Sequence, residues 1–267
     1  MPPEPAEPSE FDAALDPAWG PFVADPARAV LFADFDGSLA PIVADPARAA
    51  PVPAAVTALT RLAGRWARVA VVTGRPVAFV RRHLPDPAVT VVGQYGLEHD
   101  VGGVVTSDPR AVPFEPAVAA AADEAEARWP ELLVERKGRV AVTLHWRTAP
   151  DHAPDPDAIA ALADAHGLAR FAGRMACELR PPLPVDKGTA VAGLLAEVAE
   201  ARAAAFVGDD HGDLAAFAAL TAWSDAGART ALRVAVASDE SPVDLLAAAD
   251  LVLAGPAALA AQLTALT

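Results

Sequence analysis

Asp34-Phe35-Asp36-Gly37-Ser38 sets two carboxylates two residues apart and follows them with a glycine and a hydroxyl. One carboxylate can act as a nucleophile, a second can move the leaving group's proton, and both can hold a hard divalent cation. An Asp-Gly pair is also an ordinary turn with a capping aspartate, so the stretch gains a chemical reading only from its companions. These are Thr73-Gly74-Arg75, Lys187 with Gly188-Thr189, and Gly208-Asp209-Asp210. Asp34, Asp36 and Asp209 are oxygen donors that suit Mg2+ better than a soft metal. The hydroxyls of Ser38 and Thr73, with main-chain N–H groups near Gly37 and Gly74, can hold phosphate oxygens, and Lys187 adds a fixed positive charge. Taken singly, each motif reads equally well as a turn, a cap or a surface lysine. Their joint placement decides for a site.

That placement follows from the elements around them. The apolar runs 29–33, 67–72, 89–92, 203–207, 232–236 and 251–253 read as strands. Helical spacing fills the intervals at 56–66, 77–84 (opened by Pro76), 187–200, 214–220 and 257–266. Strands alternating with helices predict a Rossmann-like α/β core with a parallel sheet and right-handed crossovers. Each motif directly follows a strand or opens a helix, so the topology gathers them in one crevice at the carboxyl edge of the sheet.

The middle, 108–182, loses this rhythm. An acidic helical segment at 115–129 ends at Pro130. Two strand-like runs, 132–136 and 139–147, are joined by Lys137-Gly138, and then come a helix at 157–166 and one strand-like run at 171–180. This predicts an inserted α+β unit, with Val112-Pro113 and Pro181-Pro182-Leu183-Pro184 as hinges. The expected organisation is a Pro- and Glu-rich tail over 1–26, a core over 27–107 and 183–267, and the insert over 108–182. In the tail, Phe11, Trp19 and Phe22 are candidates to dock.

The 267 residues are 53% hydrophobic, enough for a substantial core without disulfides. The one cysteine, Cys177, sits in an apolar stretch and reads as a core residue; a reducing, cytoplasmic setting fits it. A formal net charge of -14 argues against nucleic acid as a partner. No apolar segment is long enough to span a bilayer, and the acidic, proline-rich start is no signal peptide. The expected partner is a small molecule, and the expected form a monomer.

The order of these motifs resembles the haloacid dehalogenase superfamily of phosphotransferases, with an inserted cap. Within it the chain is similar to the trehalose-6-phosphate phosphatase family. The resemblance is carried by Asp36-Gly37-Ser38-Leu39-Ala40-Pro41-Ile42, Gly93-Gln94-Tyr95-Gly96-Leu97-Glu98, Glu135-x-Lys137 followed by His145-Trp146-Arg147, and Gly173-Arg174 followed by Glu178-Leu179-Arg180-Pro181. It implies hydrolysis of a sugar phosphate, trehalose 6-phosphate, through an aspartyl-phosphate. Asp34 would be the nucleophile and Asp36 the acid and then the base. Mg2+ would be held by Asp34, the Asp36 carbonyl and Asp209, with Asp213 in support. Ser38, Thr73, Gly74 and Lys187 would cradle the phosphoryl group. Glu135, Lys137, Arg174 and Glu178, with Arg147 nearby, would bind sugar hydroxyls. The chain departs from the family at Ser38 for threonine, Tyr95 for histidine, Arg174 for lysine, and Leu214 for glutamate. Two alternatives stay open: a capped phosphatase for another sugar phosphate, and a sugar-phosphate sensor without catalysis.

Overall fold

The computed structural model describes residues 14–267 apart from Ala44, Gly102 and Arg174. The readings of Phe11 and of the Pro- and Glu-rich start, and the sugar-binding role of Arg174, fall outside the described residues. Along the chain run α1 (Gly20–Ala24), β1 (Ala29–Ala33), α2 (Pro53–Ala63), β2 (Arg68–Val72), α3 (Val77–Arg81), β3 (Thr90–Gly93), β4 (Glu98–Val101) and β5 (Val104–Ser107). The inserted unit contributes α4 (Glu115–Arg128), β6 (Leu133–Lys137), β7 (Ala141–His145), α5 (Pro156–Ala165), β8 (Ala169–Gly173) and β9 (Ala176–Arg180). The chain then returns through α6 (Lys187–Ala196), β10 (Ala203–Gly208), α7 (Leu214–Asp225), β11 (Thr230–Ala237), α8 (Val243–Ala248), β12 (Leu251–Ala254) and α9 (Gly255–Ala265).

The first sheet has eight strands in the order β12-β11-β10-β1-β2-β3-β4-β5, parallel from β12 to β3 and antiparallel beyond. β1 is buried at every position because helices cover both faces. Leu31, Val69 and Val71 face one layer with Leu59, Leu62 and Leu263, while Val30, Phe32 and Val72 face another with Val191, Phe206 and Phe217. After β1 the chain builds outward on one side through β2 and β3, and it later returns to β10 on the other. The topological switch therefore falls at β1 and β10, where such sheets bind ligands. The second sheet, β6-β7-β9-β8, is antiparallel, and α4 and α5 pack on it through Val118, Ala122, Ile159 and Leu162 against Val142 and Leu144.

Several expectations are corrected. The β4–β5 hairpin is not predicted because β4 is mostly polar and lacks an apolar run; the Gly102-Gly103 doublet is its sequence signal. The run 171–180 is two strands, not one: the chain reverses at Met175, whose φ of 52° is left-handed. The helix expected over 187–200 stops at Ala196, with Glu197 as its C-cap. The helix expected over 77–84 stops at Arg81, with Pro76 as its cap.

Residues 14–26 are not detached from the core. Trp19 and Phe22 are fully buried. Trp19 meets Phe22 edge-on at 5.2 Å, and Phe22 stacks on Trp66 at 5.6 Å. Among the described residues, no helix is long and apolar enough to cross a membrane.

Candidate active site

The carboxyl ends of β1, β2 and β10 bring the expected groups together. Asp34 directly follows β1, and its N–H donates to the Val207 carbonyl of β10 at 2.8 Å. Gly37 turns the chain with φ of 78°, and a Cβ there would fall 1.9 Å from Asp209 Oδ2, so only glycine lets these two segments close on each other. Lys187 is fixed at the first turn of α6 by a capping box, in which the Asp186 carboxylate accepts from the Thr189 N–H at 2.7 Å and Thr189 Oγ1 accepts from the Asp186 N–H at 2.9 Å.

Lys187 Nζ lies 3.0 Å from Asp34 Oδ1 and 2.7 Å from Asp213 Oδ1, with all three groups buried. Asp213 also accepts from the N–H groups of Asp209 and Asp210 at 2.9 and 3.1 Å. The carboxylates of Asp34, Asp209 and Asp213 each offer an oxygen within 4.8 Å of the others. Burial pushes the Asp34 carboxyl well above the usual range, while Lys187 pulls the other way. Burial and the neighbouring Asp213 and Asp210 push Asp209 up to about 7. Burial works against the Lys187 ammonium, but Asp213, Asp34 and Asp210 outweigh it and keep it charged. One ammonium among four carboxyl groups leaves closely spaced hard oxygen donors short of positive charge, which adds to burial in lowering their acidity. That is the setting in which a hard divalent cation fits.

Asp36 lies apart from this cluster. Both its oxygens are taken by Arg75, with Nε to Oδ2 at 2.6 Å and Nη2 to Oδ1 at 2.8 Å. Thr73 Oγ1 accepts from the Arg75 N–H at 3.2 Å and so shapes the turn that aims this arginine. Ser38 Oγ donates to Asp209 Oδ1 at 3.3 Å. A cavity of about 530 Å³ is lined by Asp34, Asp36, Thr73, Gly74, Lys187 and Asp209 of the core and by Lys137 and Gly173 of the inserted unit. The insert lies close over the site: Gln94 Nε2 donates to the Lys137 carbonyl at 2.7 Å.

Behind Lys137 the two expected sugar-binding carboxylates already have partners. Lys137 Nζ donates to Glu178 Oε2 at 2.7 Å, and His145 pairs with Glu135 at 2.9 Å. The His145 hydrogen bond holds the Glu135 carboxyl below its usual range. β7 ends at His145, and Arg147 lies in the exposed turn beyond, outside the cavity lining. Arg75 closes the Thr73-Gly74-Arg75 motif, and the sequence alone assigns it no role. Its signal was its place in a turn at the strand end beside the one that carries Asp36.

The parallel sheet with its inserted unit has the fold of a haloacid dehalogenase-like hydrolase from Bacteroides thetaiotaomicron, which superposes with a TM-score of 0.59 at 14% identity, covering 88% of this chain and 98% of that one. A family model described as Trehalose-phosphatase matches residues 32–246, and the chain belongs to that family. A trehalose-phosphate phosphatase of Mycobacterium marinum is 32% identical over 222 residues, covering 79% of this chain and 56% of the relative. The chain thus spans about half the length of the curated relatives it matches. A crystal structure of the Aspergillus fumigatus trehalose-6-phosphate phosphatase superposes with a TM-score of 0.62 at 27% identity, covering 95% of this chain and 97% of that one. A trehalose-6-phosphate phosphatase related protein gives a TM-score of 0.69 at 24% identity, covering 88% and 95%.

Proposed function

We propose that this chain hydrolyses trehalose 6-phosphate to trehalose and phosphate as a Mg2+-dependent phosphatase. The observation that carries the reading is the shared cavity, in which Asp34, Asp36 and Lys187 of the core face Lys137 of the insert. Residues 108–182 then act as a cap that recognises the sugar.

Asp34 attacks phosphorus, the bond to the sugar oxygen breaks, and Asp36 gives that oxygen its proton. Asp36 next takes a proton from water as the water attacks the aspartyl-phosphate, and phosphate leaves with Asp34 regenerated. Arg75 aims Asp36 by its two-point grip on the carboxylate, and one of these bonds opens when Asp36 carries the proton. Lys187, 3.0 Å from Asp34, opposes the charge on the transferring group. Main-chain N–H groups near Gly74 and Gly37 and the hydroxyls of Thr73 and Ser38 receive its oxygens. Asp34, Asp209 and the Asp36 carbonyl would hold Mg2+, with Asp213 in support, and the ion supplies further charge neutralisation. Glu135, Lys137 and Glu178 serve the sugar hydroxyls. The buried Cys177 fits a reducing, cytoplasmic setting.

The test is phosphate release from trehalose 6-phosphate, glucose 6-phosphate and p-nitrophenyl phosphate, with and without Mg2+. Preference for the disaccharide phosphate is expected. Equal rates on all three, or no release at all, would remove the reading.

A further inference from the structure

Gln94 and Tyr95 are consecutive non-glycine residues with left-handed φ of 53° and 58°. Such positions are strained and persist only where the surroundings impose them. Here the Gln94 N–H donates to the Arg75 carbonyl at 3.1 Å and the Tyr95 N–H to the Thr73 carbonyl at 3.0 Å, which ties the loop to the phosphate-binding turn. The result aims the Tyr95 ring at Gly74: a Cβ on Gly74 would fall 2.6 Å from the ring's Cζ and Oη. The same ring lies 4.6 Å from the Arg180 guanidinium, which comes from β9 of the cap and rests 3.7 Å from the Phe171 ring.

Arg180 is only 5% exposed, and Nε and Nη1 have no hydrogen-bond partner among the described residues. Glu178 Oε1 is equally buried and lacks one, although it lies 3.8 Å from Arg180 Nη1. Its other oxygen is held by Lys137. Buried charged donors left without hydrogen bonds are destabilising, and the two aromatic faces offset part of that through cation–π attraction. Apart from one long hydrogen bond, from Nη2 to the Val185 carbonyl at 3.4 Å, Arg180 is therefore placed by rings, one from the core and one from the cap.

We propose that Tyr95 and Arg180 are a positioning pair that ties the phosphate-binding turn at Gly74 to the cap carboxylate Glu178. A phosphate seated on the turn fixes Tyr95. The ring fixes Arg180, and Arg180 holds Glu178 where a sugar hydroxyl meets it. The phosphate and sugar ends of one substrate are thereby read together. The proposal rests on the reading of Glu178 as a sugar ligand.

The test is a double-mutant cycle of Tyr95→Leu and Glu178→Gln, read as kcat and KM on trehalose 6-phosphate, with p-nitrophenyl phosphate as the substrate that lacks a sugar. Tyr95→Leu is expected to lower kcat/KM on the disaccharide phosphate about tenfold, mostly through KM, and to lose much less on the aryl phosphate. In the Glu178→Gln background it is expected to add little. Tyr95→Phe, which keeps the ring, should recover most of the loss. Arg180→Lys carries the same cycle if Tyr95→Leu does not fold, because lysine keeps the charge and loses the planar fork. A wild type that prefers trehalose 6-phosphate but shows additive losses, or equal losses on both substrates, overturns the proposal alone. A wild type without preference for the sugar phosphate removes it together with the reading it rests on.

Discussion

Arg75 grips both oxygens of Asp36 while its guanidinium also lies 4.4 Å from the Phe79 ring. A planar fork seated on an aromatic ring at the end of β2 leaves the carboxylate little rotational freedom, which is what a proton-transferring group requires. Arg75→Met is expected to lower kcat on p-nitrophenyl phosphate about 100-fold, within the range general acid–base catalysis supplies. Arg75→Lys should recover only part of this, since an ammonium cannot make the two-point contact. Steady-state kinetics on both variants checks it. A wild-type kcat in Arg75→Met would show that Asp36 needs no such support.

Asp34→Asn removes the nucleophile. Phosphate release should fall to background, and no acyl-phosphate should be trapped on the protein by mass spectrometry. Inorganic phosphate should still bind. Turnover by Asp34→Asn would move the nucleophile elsewhere.

A net charge of -14 opposes an anionic substrate, and the acidic cluster sharpens the problem at the site itself. Chelation of divalent cations is therefore expected to weaken inorganic phosphate binding as well as turnover, measured by calorimetry and by phosphate release. Unchanged phosphate affinity in chelator would count against Asp34 and Asp209 as metal ligands.

Glu135→Gln is expected to lower kcat/KM on trehalose 6-phosphate by about tenfold or more, the worth of a hydrogen bond to a charged group. The loss on p-nitrophenyl phosphate should be far smaller. Parallel losses on both substrates would take Glu135 out of sugar recognition.

Trp19→Ala should destabilise the fold by about 3–5 kcal/mol, as expected for truncating a large aromatic core residue. Urea unfolding reads this directly. A loss below about 1 kcal/mol would mean that the segment before β1 contributes little to the core.

Asp250 pairs with Arg233 at 2.6 Å, and the hydrogen bonds from this arginine hold its carboxyl below the usual range. A group whose pKa is lower in the folded than in the unfolded state stabilises above its unfolded value, about 3.9, and the stabilisation fades as pH falls through the folded value. The pair is partly exposed, so Asp250→Asn should lose only about 0.5–1 kcal/mol at pH 7. The difference from wild type should shrink below about pH 4. Urea unfolding across pH checks the sign.

The apolar runs and the breaks that follow them already mark the parallel core and its chemical edge. The run 29–33 is apolar throughout because helices cover β1 on both faces, and its motifs sit at strand ends because a break must follow a buried strand. Asp34, Thr73 and Asp209 are legible for that reason, and Lys187 from its place at the start of a helix. Trp19 and Phe22 were legible only as candidates, since composition marks a proline-rich start as a tail while burial depends on what receives the rings. The run 171–180 reads as one strand because Gly173 is a lone turn signal inside an otherwise strand-like stretch.

Partnerships between distant residues belong to the tertiary structure alone. Sequence named Asp36, Lys137, Glu178 and Asp213, but not that Arg75 would hold the first, that Lys137 would hold Glu178, or that Lys187 would bridge Asp34 and Asp213. These contacts join segments brought together by β-pairing and by closure of the insert on the core. Side-chain direction across such a junction depends on rotamer, burial and local charge, none of which is encoded in the spacing of a single motif.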